Sequence, residues 1–267
     1  MKWKDAYYND KIALDYFISN NFGDKLNENL IEKISGNQVV NIISNFDFSN
    51  KSVYACIGST LQKKFKYPTQ IWGAGAMYSD RKINLDTISR IHAIRGALSR
   101  QLLIRQGRSC PEIYGDPAIL LPYYYNFNVV KTHSIGIIPH YLDKDSEFVK
   151  FYSNTEDIKI IDICKDTETV IKDVLSCINV ISSSLHGLIV ADTYGINSLW
   201  VEFSDNVKGN GFKFRDYYTG INYKPYNPLQ LRNSRDVSMY QIEMLMRRDI
   251  EITDKMRNKL LEACPFI

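Results

Sequence analysis

Apolar residues in this chain fall into short, β-branched runs separated by amphipathic stretches, and the alternation continues from end to end. One stretch shows it most fully. Ile178–Ile181 is a run suited to a buried strand; Ser182, Ser183 and Ser184 follow, then Leu185-His186-Gly187. An amphipathic helix over about Leu188–Tyr194 is closed by Gly195, and Ser198–Phe203 supplies a second strand. Strand, polar turn, helix, strand is one βαβ unit, which predicts parallel pairing.

The same rhythm organises the rest. Val39–Ile43, Val53–Ile57, Gln70–Trp72 and Ile91–Ile94 predict strands, and Ala97–Gln106 predicts a helix stopped by Gly107. Asn20 to Asn27 forms a start signal for a helix over about Glu28–Ile34, stopped by Gly36. Glu112–Tyr114 predicts a further strand before the sharp turn Gly115-Asp116-Pro117. Proline and aromatics over Pro122–Lys131 predict a linker, dividing the chain into 1–125 and 126–267. Beyond it come strands Ser134–Pro139 and Ile158–Ile163, with helices Asp145–Tyr152 and Thr167–Cys177. From about Asp236 to Ala263 the pattern is two helices with a break near Ile252–Asp254. Both halves share one α/β rhythm, so the expectation is two similar domains with a cleft between them.

Composition narrows the function. The 267 residues are 45% hydrophobic and 24% charged, an ordinary globular balance. Net charge is +3 with dispersed basic residues, too little to argue for nucleic acid but compatible with a phosphorylated or carboxylated ligand. No apolar run approaches the roughly 20 residues of a membrane span, and MKWKDAYYND has no apolar leader core. A cytoplasmic location is expected, with contact at the inner face of the membrane compatible. Five widely spaced cysteines without a C-x-x-C pair predict reduced thiols and no structural zinc. The histidines lack a ligand motif, so no metal is expected.

Candidate chemistry gathers at strand ends. His186 and Ser182–Ser184 stand where a strand's carboxyl end meets a helix's amino end, a place that favours anions. An imidazole there titrates near neutral pH; the competing reading is a capping serine and a structural histidine. His140 ends another strand, and two histidines on one rim weigh more than one. Arg95 closes a third strand and offers a planar fork for carboxylate or phosphate, or else a surface ion pair. Asn21, Gly23 and Asp24 place amides and a carboxylate before a helix, which capping alone also explains. Gly73 and Gly75 lack the third glycine of a dinucleotide fingerprint and read as a tight turn or close backbone approach. Lys213 and Arg215 follow the flexible Gly209-Asn210-Gly211, in a loop of the kind that closes over ligands.

Taken in order, these motifs resemble the polysaccharide pyruvyl transferase family over nearly the whole chain. They are Asn21-Phe22-Gly23-Asp24 with Asn27, Gly73 to Gly75, Arg95 with Ser99, Gly115 to Pro117, Ile138-Pro139-His140 and Leu185 to Gly187. The resemblance implies two Rossmann-like domains in a GT-B-like arrangement, the last helices crossing back to the first domain. It implies a ketal pyruvyl transferase moving pyruvyl from phosphoenolpyruvate onto two hydroxyls of a sugar, in a surface polysaccharide or its lipid-linked precursor, with no redox cofactor. On that reading His186 is the main acid/base, and Asp24 and His140 orient or deprotonate the acceptor. Arg95 and Ser182–Ser184 hold the donor's anionic groups. Many members carry arginine where this chain has Ser184, so Arg95, Lys213 or Arg215 must substitute, or the donor differs. The alternatives are a GT-B-type glycosyltransferase using a nucleotide sugar, with Glu202 as a ribose holder, and a non-catalytic sugar- or anion-binding protein.

Overall fold

The computed structural model describes residues 11–43, 47–232, 237–246 and 249–267. The decapeptide at the start and the expected beginning of the terminal helices at Asp236 lie outside them. The chain is mixed α/β, with two parallel five-stranded sheets consistent with two Rossmann-like domains. The first uses β1 (Ile12–Leu14), β2 (Val39–Asn41), β3 (Val53–Ala55), β4 (Thr69–Trp72) and β5 (Ile88–Ala93), ordered β2-β1-β3-β4-β5. The second uses β6 (His133–Ile138), β7 (Ile158–Ile160), β8 (Cys177–Ser182), β9 (Asn197–Glu202) and β10 (Leu229–Gln230), ordered β10-β9-β8-β6-β7. Counted from its own first strand, each sheet has the same order, 2-1-3-4-5. The pairing is parallel throughout, as the βαβ reading requires.

Several elements differ from the sequence expectation, each for a physical reason. Helix α1 spans Phe22–Ser35, beginning six residues before Glu28, because Asn21 is extended and takes the N-cap. Its first free donor, the Phe22 N–H, bonds to the Ile163 carbonyl at 2.8 Å, so the far half of the chain completes this helix start. Helix α2 is Ala97–Arg105. Glu112–Tyr114 makes only an isolated bridge from Tyr114 to Ile94. The start of the expected linker is helical: a buried 3₁₀ turn, Pro117–Leu120, runs into α3, Leu121–Tyr124, which takes in Pro122. Helices α4 (Glu147–Tyr152) and α5 (Thr167–Leu175) follow with serine and aspartate caps.

Helix α6, Leu185–Thr193, starts three residues before Leu188 and is buried on every side rather than amphipathic. A helix apolar all round belongs inside a core, and this one packs against β8, β9 and the Pro117–Leu120 turn. Helix α7 (Phe212–Gly220) comes next, then α8 (Met239–Met244) and α9 (Asp254–Glu262). Helix α9 lies against the first sheet's side of the molecule: Trp72 Nε1 donates to the Leu260 carbonyl (3.0 Å) and Lys259 Nζ to that of Glu112 (2.8 Å). One buried apolar cluster includes Leu26, Trp72, Ile119, Leu188, Trp200 and Leu260, side chains drawn from both halves. Each such side chain contributes about 1.5–3 kcal/mol by leaving water. Among the described residues no helix is long and apolar enough to cross a membrane.

Candidate active site

A 2-1-3-4-5 sheet changes its winding direction between its first and third strands, and loops at their carboxyl ends splay apart to leave a crevice. Here those strand pairs are β1 with β3, and β6 with β8. A pocket of ≈ 510 Å³ is lined by segments following all four. Asn21 and Asp24 come from beyond β1, Gly58 and Ser59 from beyond β3, His140 and Tyr141 from beyond β6, and Ser184 to His186 from beyond β8. Met77 after β4, and Lys208 and Lys213 after β9, complete the wall, with Phe17, Ile18 and Ser19 at its β1 side. A more open recess of ≈ 440 Å³ around Glu32, Asp166 and Glu168 holds no histidine.

His186 sits in the first turn of α6 and is 8% exposed. Its Nε2 lies 3.6 Å from Asp116 Oδ2, and both atoms are buried without a hydrogen-bond partner among the described residues. That separation exceeds a formed N–H···O bond, yet a carboxylate so placed stabilises an imidazolium as soon as the ring takes a proton. Asp116 is held from behind, its Oδ1 accepting the Ala118 N–H at 3.1 Å. Gly23 closes the other side of the ring: a Cβ there would stand 2.0 Å from His186 Nδ1.

Around this pair the ionisable groups differ in state. Burial raises the Asp24 pKa above its ordinary value; the Ser19 hydroxyl (2.5 Å) and the charges of His186 and Lys213 pull the other way. Burial, then the Lys213 charge, pushes His140 down to about 4, so its ring is neutral at neutral pH. His140 Nδ1 accepts the Leu142 N–H at 3.3 Å, and its ring lies 4.3 Å from that of Tyr141. Lys213 is 8% exposed, and no described residue hydrogen-bonds or ion-pairs with its ammonium. Burial, then the Arg95 charge, lowers its pKa to about 8 against the attraction of Asp143 and Asp24.

Other expected site residues serve the frame instead. Arg95 is a correction: it is fully buried, and all three nitrogens of its guanidinium bond to the protein itself. Nε donates to Asp216 Oδ2 (2.9 Å), Nη1 to Ser59 Oγ (2.8 Å) and Nη2 to the Ala76 carbonyl (2.6 Å). Gly75 leaves room for that fork, since a Cβ would stand 2.3 Å from Arg95 Cζ. Gly73, at φ 91°, faces Pro117 and the Gly115 carbonyl. Lys213 and Arg215 stand in helix α7 rather than in the expected loop; Arg215 donates to the Asn210 carbonyl (2.7 Å) and Asn227 Oδ1 (3.2 Å), bracing the turn before the helix, and does not line the pocket. Ser182 Oγ accepts the Ser184 N–H (2.9 Å), and Ser183 Oγ donates to Asp143 Oδ2 (2.6 Å). Both serines brace the turn, and only Ser184 of the three lines the pocket. Glu202 accepts from Gln230 (2.8 Å) and does not line it. Among the described residues no group of three or more histidine, cysteine or acidic side chains is placed to hold a metal ion.

The pocket thus joins a histidine backed by a carboxylate to a second carboxylate and an unpaired buried cation. A sequence profile describing polysaccharide pyruvyl transferases matches residues 4–205. The chain belongs to that family. It is therefore a transferase. It is also 30% identical over 236 residues to an uncharacterized protein of Acanthamoeba polyphaga mimivirus, covering 84% of this chain and 80% of that one. In this pyruvyl transferase family member, His186, Asp116, Asp24 and His140 all fall inside the matched stretch, whereas Lys208, Lys213 and Asp216 lie beyond it. Sequence reasoning singled out Gly115-Asp116-Pro117 as a motif without giving Asp116 a role. It missed Ser59 and Lys208, whose only signal was a position after a predicted strand, and Ser19 and Asp216, which had none.

Proposed function

We propose that the protein is a ketal pyruvyl transferase that takes phosphoenolpyruvate as donor and bridges two hydroxyls of a sugar in a surface polysaccharide or its lipid-linked precursor. Residues 1–125 form the acceptor side and 126–267 the donor side of a GT-B-like pair of domains. The observation that carries this reading is His186 with Asp116 behind it, opening on the same pocket as an unpaired buried cation. The donor is an enol ester of phosphate bearing a carboxylate, so it needs positive charge to bind and a proton at its methylene carbon to react.

His186 gives that proton, and positive charge builds at the adjacent carbon. The first acceptor hydroxyl attacks there, passing its proton to Asp24. The carbon–oxygen bond to phosphate then breaks, inorganic phosphate leaves, and the second hydroxyl closes the ketal. Of the two hydroxyl protons, one replaces that given to carbon and the other leaves with the phosphate. Asp116 stabilises the imidazolium before transfer, and the raised pKa of Asp24 suits a group that must accept and release a proton. Neutral His140 serves as a hydrogen-bonding partner for the acceptor rather than as an acid.

The test is release of inorganic phosphate from phosphoenolpyruvate in the presence of a panel of glycosides, with the ketal product identified by mass. Turnover by the wild type and none by His186→Ala is expected. A protein that ignores phosphoenolpyruvate while being thermally stabilised by UDP, GDP or CMP refutes the donor assignment.

A further inference from the structure

Three cations were candidates to hold the donor's negative groups, and two are already spent. Arg95 is buried and bonded to Asp216, Ser59 and Ala76. Arg215 is turned to Asn210 and Asn227, its guanidinium 5.4 Å from the Trp200 ring. Lys213 is different: more than nine-tenths buried, it lines the pocket, and although its ammonium lies 5.3 Å from the Phe214 ring, no described residue hydrogen-bonds or ion-pairs with it. An isolated buried charge is costly unless something pairs with it, so its persistence points to a partner that arrives from outside.

The surroundings fit an anion. Helix α6 presents its amino end to the same pocket, and its N-cap Ser184 makes no capping bond, leaving the first-turn N–H groups to a ligand. Lys208 lines the pocket too, exposed, just ahead of Gly209, Asn210 and Gly211, which all have positive φ. That turn is pinned across the pocket, since a Cβ on Gly209 would stand 2.5 Å from the Met77 carbonyl. Helix α7, which carries Lys213, is anchored one turn later by Asp216. Its carboxylate takes Arg95 Nε (2.9 Å), the Ser99 N–H (2.7 Å) and the Ser99 hydroxyl (2.6 Å). Gly96 and Gly220 allow the close approach, as a Cβ on either would meet backbone oxygen at 1.7 and 2.0 Å.

We infer that Lys213, with the amino end of α6, forms the subsite for the donor's anionic group, and that Lys208 supplies a second, outer cation. The charge expected of Arg95 is thus delivered by a helix beyond the family-matched stretch. This rests on the proposed function for the donor's identity but not for the subsite's existence.

The experiment is calorimetric titration of the full chain with phosphoenolpyruvate and, separately, with inorganic phosphate. A charge-assisted contact of this kind is worth roughly 10- to 100-fold in affinity. Lys213→Met is expected to lose that much for both ligands, Lys213→Arg to retain most of it, and Lys208→Met to lose a few-fold. Unchanged affinity in Lys213→Met overturns the subsite, as does a wild type that binds neither ligand. Lys213-dependent binding of phosphate without any binding of phosphoenolpyruvate keeps the subsite and sinks the donor assignment instead. Circular dichroism of each variant shows that lost binding is not lost folding.

Discussion

Replacing Lys213 by methionine is expected to make the protein more stable while disabling it. The side chain lies buried without a hydrogen bond or ion pair, and its pKa falls from 10.5 to about 8, chiefly through desolvation. At about 1.4 kcal/mol per unit, that shift marks on the order of 3 kcal/mol by which folding is disfavoured while the ammonium keeps its proton. Methionine fills nearly the same volume without the charge, so a gain of about 1–3 kcal/mol is expected at pH 7, or about 3–10 °C in melting temperature. The sign fixes the pH dependence. The folded-state pKa is depressed, so below about 8 the cost is fully present. Between about 8 and 10.5 the folded protein sheds a proton that the unfolded chain keeps, and wild-type stability rises relative to the variant. Paired thermal melts across that range should show the difference shrinking. Saturating phosphoenolpyruvate at pH 7 should shrink it as well, by stabilising only the wild type. A variant no more stable than wild type at pH 7, or a gap that ignores pH, refutes the argument.

Gly23→Ala should leave the melting temperature within a few degrees, because alanine favours a helix by up to about 1 kcal/mol. It should nevertheless cut turnover at least about 100-fold, since the new methyl displaces the His186 ring; unchanged kinetics would contradict the geometry. Asp216→Asn strips the buried Arg95 of its counter-charge and should cost about 3–5 kcal/mol in urea unfolding. His140→Gln should change the acceptor KM and leave the pH–rate profile between 6 and 9 unaltered, because the wild-type ring is already neutral there. A lost limb in that profile would instead make His140 a titrating catalyst. Asp116→Asn should lower kcat about 100-fold or more by removing the charge that steadies the protonated ring, with phosphoenolpyruvate binding intact by titration.

Sheet content was legible because β-branched runs such as Ile135–Ile138 and Val180–Ser182 bury both faces and leave no polar alternation to confuse them. Two strands were not: Leu229–Gln230 has only two residues, and Ile12–Leu14 lies outside any longer apolar run of the kind that marks the equally short Val39–Asn41 and Val53–Ala55. His186, Asp24, His140, Asn21 and Ser184 could be picked out because strand ends and helix starts mark the ligand edge of a parallel sheet, and Lys213 because it follows a glycine-rich turn; all six line one pocket. Arg95 could not be read correctly. An arginine at a strand end has the same local pattern whether it awaits a ligand or meets an aspartate 121 residues away. The glycines carry the same lesson: Gly75 and Gly96 answer to Arg95 and Asp216, partners that no local window contains.

The two halves divide the chemistry by charge. The first brings Asp24 with its Ser19 donor, and Asp116 behind the imidazole. The second brings His186, the open end of α6 and the lysines. Under the proposed function, a donor bearing two negative groups and an acceptor that must lose protons would need those environments on opposite sides of the reacting carbon. Cations spread evenly around the pocket would hold Asp24 firmly ionised and weaken it as a base. Arg95, although nearest in sequence to the expected role, stands on the wrong side for it. Paired with Asp216 it carries no net charge toward Asp24, and the same bond anchors the helix that brings Lys213 in from the other half. Neutralising one cation while anchoring another keeps the unpaired positive charge with the second half, and the order 2-1-3-4-5, used twice, brings segments of both halves to one pocket.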